Sequence, residues 1–304
     1  MTHNGDTVVE TRGLTRRFGA ITALDEVSLA VPRGSVFGLV GVNGAGKTTL
    51  IKHVLGLLRA QAGSIRVFGL DPVAEPVRVL SRIGYLGEES DLPDWMRVGE
   101  LLGYLQAFYP TWDEAHAEEL RRSFEIDPSA KVKHLSKGQR ARVGLLVALA
   151  YRPELLLLDE PSSGLDPIVR RDILGAIIRT ISEEGRTVLF SSHLLDEVER
   201  VSDHVAMIHQ GSIVMCGGLD EIRASHLRIT IRFDEPQSEP PSTGAALGWK
   251  GAGQEWSAIC DGQLPRFHQA ASEAGARIVE QAAASLDEIF VARVANARLT
   301  SDKE

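Results

Sequence analysis

The chain has 304 residues, 43% of them hydrophobic and 24% charged, which is typical of a globular protein with room for one large and one smaller domain. Its formal net charge of −8 argues against a broad surface for nucleic acid or anionic membranes. Cys216 and Cys260 are too few for a disulfide framework, so the cysteine content predicts a reducing cytoplasm. The interrupted apolar runs and the amino-terminal sequence "MTHNGDTVVE" predict neither a membrane-spanning helix nor a secretory signal.

The first motif along the chain is a glycine-rich loop, "GVNGAGKTT", between the strand-like run "SVFGLV" and the helix-like run "LIKHVLGLL". It matches the pattern G-x-x-x-x-G-K-[ST] in the strand-loop-helix context that the pattern requires. The glycines allow backbone N–H groups to point at a polyphosphate, and the helix start adds a partial positive charge. Lys47 is expected to reach the outer phosphates, Thr48 to offer a hydroxyl to Mg²⁺, and Thr49 to make a second phosphate contact. We therefore predict a nucleotide phosphate loop formed by Gly41, Asn43, Gly44, Ala45, Gly46, Lys47, Thr48 and Thr49.

A polar and aromatic stretch with helical spacing follows, "LPDWMRVGELLGYLQAFYPTWDEAHAEELRRSFEI". Its aromatic residues are expected in a core rather than at a ligand: Trp95, Tyr104, Phe108 and Tyr109. The next motif, "LSKGQ", opens another helix with Ser136, Gly138 and Gln139. A hydroxyl and unpaired N–H groups at the positive end of a helix suit a phosphate, but the same residues could form a simple helix cap.

A buried strand is predicted next by "ELLLLDEP", residues 154–161, in which four leucines precede two acidic residues. A carboxylate at the end of such a strand can hold Mg²⁺ through water, and a neighbouring carboxylate can polarise an attacking water. We assign Asp159 to the metal and Glu160 to the chemistry.

The composition changes past residue 225, where a strand, a Pro/Ser/Gly-rich loop and then strand, helix, strand and helix are predicted. Residues 226–298 are therefore expected to form a small α+β carboxy-terminal appendage. It has no recognisable catalytic constellation, so we expect a role in regulation or dimer support. Residues 8–225 alternate strands with helices, which predicts an α/β fold with a mainly parallel sheet.

Together these motifs resemble the ATP-binding subunit of ATP-binding cassette (ABC) transporters, over residues 8 to about 225. The resemblance implies a P-loop NTPase cassette with a helical subdomain at about 89–150. The family signature is LSGGQ, and here Lys137 replaces a glycine. The closing run "SLDEIFVARV" resembles the extension common in cassettes of bacterial drug, antibiotic and polysaccharide or lipid exporters.

The resemblance also implies roles for residues outside the phosphate loop. Phe18 would stack on adenine, and His193, in "LFSSHLLDEVER", would be the switch histidine near the γ-phosphate. The segment "SSGLDP", residues 162–167, resembles the D-loop, with Asp166 at the contact between subunits. The ATP of the partner chain would be held by the signature residues Ser136, Lys137, Gly138 and Gln139.

Besides Lys137 in the signature, a second position departs from the family pattern. After "RIGYL" the family usually has a glutamine that touches the metal or the attacking water, on a loop facing the membrane subunit; this chain has "GEES", which puts Glu88 there. A carboxylate still binds Mg²⁺ but does not donate a hydrogen bond when ionised. Glu89 is a competitor one residue away.

The resemblance implies an ATP hydrolase that uses ATP and Mg²⁺, pairs head to tail with a second cassette chain as a homodimer, and powers a membrane permease, for export. It would be cytoplasmic and peripheral on the inner face of the cell membrane, with no nucleic-acid partner. The alternative is a soluble ABC-type ATPase acting on ribosomes or DNA. Such proteins carry a duplicated motif set or long coiled-coil or zinc-binding insertions, whereas this sequence has one motif set and neither insertion.

Overall fold

A computed structural model describes residues 6–88, 92–182, 185–239, 241 and 246–301. The chain forms two compact units, one up to Ile213 and one from Val214. The sequence predicted the domain boundary from the change in composition at residue 225, which lies beyond this division, and that boundary stays a prediction. None of the described helices combines the length and the hydrophobicity that crossing a bilayer requires.

Twelve strands and ten α-helices make up the described part of the chain. The strands are β1 (Thr7–Phe18), β2 (Ile21–Pro32), β3 (Val36–Val40), β4 (Ala62–Val67), β5 (Ile83–Leu86), β6 (Leu155–Asp159), β7 (Thr187–Ser192), β8 (His204–His209), β9 (Ser212–Gly218), β10 (His226–Gln237), β11 (Ala246–Asp261) and β12 (Ala276–Ala283). The helices are α1 (Lys47–Val54), α2 (Pro76–Leu80), α3 (Val98–Gln106), α4 (Glu114–Ser123), α5 (Lys137–Leu149), α6 (Pro167–Ser182), α7 (Leu195–Val201), α8 (Leu219–Ser225), α9 (Leu264–Glu273) and α10 (Leu286–Ser301).

The central sheet has six strands in the order β5-β6-β7-β3-β8-β9. The pairs β5/β6, β6/β7, β7/β3 and β3/β8 are parallel, which confirms the predicted mainly parallel sheet. Every residue of β3, β6 and β7 is buried, as expected of parallel strands that are covered on both faces. The carboxyl ends of these strands lead into the phosphate loop, the acidic pair and His193, so the sheet brings these three motifs to one edge.

A second sheet, in the order β2-β1-β4, is antiparallel. Its apolar side chains share one core with α1 and with the central sheet, where Leu14, Ile51 and Leu157 are fully buried. Helix α1 follows the phosphate loop directly, and the burial of Leu50, Ile51 and Val54 fixes it in this core. The position of the phosphate loop therefore depends on packing at both of its ends.

The stretch that was predicted to be helical contains α3 and α4 and leads to α5. The expectation that its aromatic residues lie in a core is wrong for three of the four. Trp95 is 74% exposed, and Tyr104 and Phe108 are also more than half exposed. Tyr104 lies on α3, which buries only Val98 and Leu101. Tyr109 is half-buried and stacks on Tyr151, with ring centroids 3.8 Å apart.

The carboxy-terminal unit contains an antiparallel sheet in the order β11-β10-β12 and the helices α8, α9 and α10. After β10 the elements alternate strand, helix, strand and helix, as the sequence predicted. Ile229, Ile231 and Phe267 form part of a core of its own. This unit is therefore held together by its own apolar contacts.

A substitution at Gly84 tests the packing between the central sheet and α5. A Cβ at this position in β5 would lie 2.1 Å from the carbonyl oxygen of Ala148 in α5. We expect Gly84→Ala to reduce the free energy of unfolding by about 1–3 kcal/mol, because backbone atoms must move. Thermal unfolding followed by circular dichroism measures the change. Gly103→Ala in α3 is the control: its Cβ would meet no atom within 4 Å, so its melting temperature should stay the same or rise. Equal destabilisation by both variants would contradict the prediction.

Candidate functional site

The phosphate loop joins the end of β3 to the start of α1. Gly44 and Gly46 have φ values of +80° and +114°, in a region that side chains disfavour. A Cβ at Gly46 would lie 2.4 Å from the carbonyl oxygen of Ala23, and one at Gly41 would lie 2.3 Å from that of Ile208. The backbone conformation thus requires glycine at positions 44 and 46. The close approach of a carbonyl oxygen requires glycine at positions 41 and 46. Ala45 is buried, whereas Asn43 and Gly44 are exposed along the loop.

Lys47 is the first residue of α1, and its side chain is only 5% exposed. Its Nζ donates hydrogen bonds to the carbonyl oxygens of Gly41 and Val42. It also lies 3.0 Å from Oε1 of Glu160. The loop thus surrounds a buried ammonium group and brings it to the acidic end of β6. Thr49 is half-buried one turn before His53, and its carbonyl oxygen bonds the His53 ring at 2.8 Å.

Glu160 directly follows β6 and has a φ of +49°, a left-handed conformation that costs a non-glycine residue about 1–2 kcal/mol. Its backbone N–H donates to Ser191 Oγ at 2.9 Å, and its Oε2 lies 2.7 Å from His193 Nδ1. Oε1 faces Lys47 but has no partner with hydrogen-bond geometry. These contacts fix a buried carboxylate with one oxygen still able to accept a hydrogen bond.

Asp159 is 3% exposed and accepts a hydrogen bond from Ser191 Oγ at 2.7 Å. Burial raises the pKa of its carboxyl group, and hydrogen bonds from Ser191 and Thr48 oppose this shift. Thr48, Asp159 and Glu88 line one cavity of about 540 Å³. These are the oxygen ligands that Mg²⁺ prefers. Within the described ranges, no cluster of three His, Cys, Asp or Glu side chains could hold a metal alone, so part of the coordination would come from phosphate and water.

Glu88 is exposed, and its Oε1 accepts a hydrogen bond from Ser163 Oγ at 3.1 Å. The carboxylate at the position of the family glutamine is therefore linked to the D-loop, which the sequence did not suggest. Glu89, the neighbouring alternative, lies outside the described residues.

Ser136 is the N-cap of α5, and its hydroxyl accepts from the Gln139 backbone N–H at 3.2 Å. The Gln139 side chain accepts from the Ser136 backbone N–H at 2.9 Å, which completes a capping box. The helix-cap interpretation of this motif is thus correct for the single chain, and the exposed hydroxyl-bearing end is still available to a phosphate. Lys137 is exposed, and its Nζ lies 2.9 Å from the position that a Cβ on Gly164 would occupy. A Cβ on Gly138 would lie 2.8 Å from a Val169 methyl group.

Two further predicted residues have contacts within the chain. Phe18 ends β1 and is 45% exposed, and the Arg16 guanidinium lies 4.6 Å from the centroid of its ring. Asp166 Oδ1 accepts from the backbone N–H groups of Ile168 and Val169 at the start of α6. Phe18 thus presents an aromatic surface, and Asp166 stabilises the end of the D-loop.

The structure brings Lys47, Thr48, Asp159, Glu160 and His193 into one cluster. The sequence reasoning missed Ser191, which binds both Asp159 and the Glu160 backbone. Strand pairing is the signal that could have identified Ser191, because β6 and β7 are parallel neighbours and Asp159 pairs with Ser191.

Comparison with known proteins agrees with this geometry. Residues 24–163 match the ABC transporter family. The ABC transporter ATP-binding protein YtrB of Bacillus subtilis is 31% identical over 227 residues, which cover 75% of this chain and 77% of that protein. The daunorubicin resistance ATP-binding protein DrrA3 of Streptomyces coeruleorubidus is 37% identical over 224 residues, 72% of this chain and 71% of that protein.

A solved ATP-binding subunit of an ABC transporter shares 32% identity and a TM-score of 0.66, covering 72% of this chain and 92% of that one. The fold, the motifs and their order along the chain agree with these sequence relationships. The chain therefore belongs to the ABC transporter ATP-binding proteins, the cassette ATPases that power membrane permeases.

Proposed function

We propose that this chain binds Mg-ATP as one half of a homodimer and hydrolyses it to drive a permease that exports its substrate. The observation that carries the proposal is the cluster of Lys47, Glu160 and His193, in which a phosphate-loop lysine and a histidine both contact one buried carboxylate. Such an arrangement supplies a cation for the phosphates and a held base for an attacking water.

ATP binding would change the partner of Lys47. In the structure its ammonium group faces the Glu160 carboxylate and two carbonyl oxygens. A polyphosphate carries more negative charge than one carboxylate, so we expect Lys47 to turn to the phosphates. Phe18 would stack on the adenine ring with the face that Arg16 leaves free. The exchange would leave the Glu160 carboxylate available for water.

Glu160 is proposed as the general base and His193 as the residue that orients it, through the 2.7 Å contact. Thr48 and Asp159 would hold Mg²⁺, with Glu88 as a further oxygen ligand from the same cavity. Bound Mg²⁺ would neutralise charge on the β- and γ-phosphates. The buried position of Asp159 supports this assignment, because a divalent cation offsets the cost of ionising a carboxyl group there.

The cavity that holds Glu88 supports a permease contact. Its wall continues into apolar side chains of the helical segment, Leu92, Leu101, Tyr104 and Leu105. A docked permease segment would thus touch both an apolar groove and the loop that carries Glu88. Binding to a permease would place this chain at the inner face of the cell membrane, where ATP is available.

A second cassette chain would complete each ATP site. Ser136, Lys137 and Gln139 are exposed at the start of α5, where a partner's ATP could meet the Ser136 hydroxyl and the Gly138 backbone. Asp166 would lie at the contact between subunits. Export is supported by relatives named for daunorubicin resistance, and the net charge of −8 gives no support to a nucleic-acid partner.

Lys47→Ala should abolish ATP binding, because the loop loses its ammonium group while its remaining phosphate contacts are neutral N–H groups. Equilibrium titration with Mg-ATP measures the affinity. Lys250→Ala, at an exposed lysine of the carboxy-terminal unit, controls for the loss of one positive charge. Affinity equal to that of the wild type in Lys47→Ala would remove the loop from the proposed site.

Glu160→Gln should stop turnover while ATP binding survives. The amide keeps the size of the side chain but loses the base, which typically costs 10²- to 10⁴-fold, or about 3–5 kcal/mol in barrier. ATP should then remain unhydrolysed and hold two chains together. Phosphate release and size-exclusion chromatography with and without Mg-ATP measure the two effects. Asp159→Asn should instead weaken Mg²⁺-dependent binding itself.

Glu154→Gln is the matched control for the base, since Glu154 precedes β6 and pairs with Arg82. Its turnover should equal that of the wild type. Hydrolysis by Glu160→Gln at nearly the wild-type rate would refute the base assignment. An inactive variant that stays monomeric with ATP would refute dimer closure by the isolated chain.

A chain ending at Ser225 should still bind ATP. It keeps all of the predicted ligands and all six strands of the central sheet, whose edge strand β9 ends at Gly218. Nucleotide titration, with circular dichroism to confirm folding, tests this expectation. Loss of ATP binding by a folded truncated chain would mean that the carboxy-terminal unit contributes to the site.

A further inference from the structure

Glu197 is a buried carboxylate that the proposed chemistry does not use. It lies in the first turn of α7 and is 2% exposed. A buried carboxylate needs charged or hydrogen-bonding partners, because ionisation away from water is costly. The identity of these partners indicates which parts of the chain the carboxylate holds together.

Three side chains converge on it. Ser162 Oγ donates to Oε2 at 2.6 Å, and Ser192 Oγ lies 3.4 Å from the same oxygen. Arg170 Nε lies 3.1 Å from Oε1, as an ion pair without hydrogen-bond geometry. Both carboxylate oxygens therefore contact other segments of the chain.

These partners flank the Glu160–His193 contact. Ser162 is the second residue after Glu160 and begins the D-loop, whereas Ser192 directly precedes His193. Arg170 lies on α6, immediately beyond the D-loop. A single carboxylate thus connects the segment carrying the proposed base with the segment carrying the histidine that orients it.

A residue other than Glu197 attaches α7 to the sheet. Val198, the next residue, is fully buried against β3, where a Cβ on Gly38 would lie 2.5 Å from a Val198 methyl group. Apolar packing at Val198 therefore positions the helix, and holding the helix in place does not account for a buried charge at Glu197.

We propose that Glu197 is a positioning residue for ATP hydrolysis, which couples the D-loop to the His193 segment through Ser162, Ser192 and Arg170. The inference rests on the proposed roles of Glu160 and His193. A displacement of the D-loop by a partner chain would be passed through the Glu197 carboxylate to the Glu160–His193 pair. ATP binding does not require this connection, because the phosphate loop lies on other elements.

The test compares Ser162→Ala, Glu197→Gln and the double variant in the full chain. Glutamine keeps the size of the side chain but loses the charge that faces Arg170, and alanine removes the hydroxyl. Each single variant should lower kcat about tenfold or more, with ATP affinity within about twofold of the wild type. The double variant should be no slower than the slower single variant, because both changes break one connection. Ser35→Ala is the control, since Ser35 Oγ is likewise buried but donates to the Pro32 carbonyl oxygen.

The measurements are phosphate release over a range of ATP concentrations, equilibrium titration with ATP, and thermal unfolding. A kcat within about twofold of the wild type in the folded variants would overturn the inference, as would rate losses that multiply in the double variant. If Glu197→Gln does not fold, Ser162→Ala and Ser192→Ala with their double variant decide by the same criteria. If Glu160→Gln hydrolyses ATP as fast as the wild type, the proposed function fails and this inference fails with it. If Glu160→Gln loses rate but the Glu197 and Ser162 variants do not, only the role of Glu197 is overturned and the proposed function stands.

Discussion

The contact between the Lys47 ammonium and the Glu160 carboxylate is the interaction on which the site depends. Both groups are almost completely buried, and they lie 3.0 Å apart at the junction of α1 and β6. Each charge offsets part of the cost of burying the other, because a buried ion without a partner is costly. The pair therefore joins the phosphate loop to the acidic strand end, and it places a cation beside the proposed base.

Strand register connects this pair of charges to the neighbouring strand β7. Because β6 and β7 are parallel and in direct contact, Asp159 faces Ser191, and the next residues along the two strands lead to Glu160 and His193. Ser191 binds the Asp159 carboxylate and the Glu160 backbone with one hydroxyl. That contact helps hold Glu160 in its left-handed conformation, so local strain at the proposed base is compensated by a neighbouring strand.

The two departures from the family pattern lie close to the D-loop. Glu88 accepts a hydrogen bond from Ser163, and Lys137 approaches Gly164. Glu88, Lys137 and Ser163 also line a common cavity of about 470 Å³. The loop expected to face the permease, the signature helix and the segment expected to face the partner chain thus meet in one region. A carboxylate and an ammonium group there add charge where the family commonly has neutral residues.

The sequence alone determined the phosphate loop, the acidic pair and the parallel sheet, because each depends on a short run of residues. Gly44 and Gly46 are required by local backbone geometry, and four consecutive leucines before Asp159 predict a strand that is buried on both faces. Burial of the aromatic residues in the helical segment was predicted wrongly, since spacing does not show which face of a helix meets a neighbour.

Only the tertiary structure decided which distant side chains meet. The contacts of Glu88 with Ser163, and of Glu197 with Ser162, join residues far apart in the chain. No local pattern encodes such pairs, because they depend on strand order and on the packing of α7 against β3. The sequence therefore specified the chemical groups of this cassette, whereas the folded sheet determined how these groups are connected.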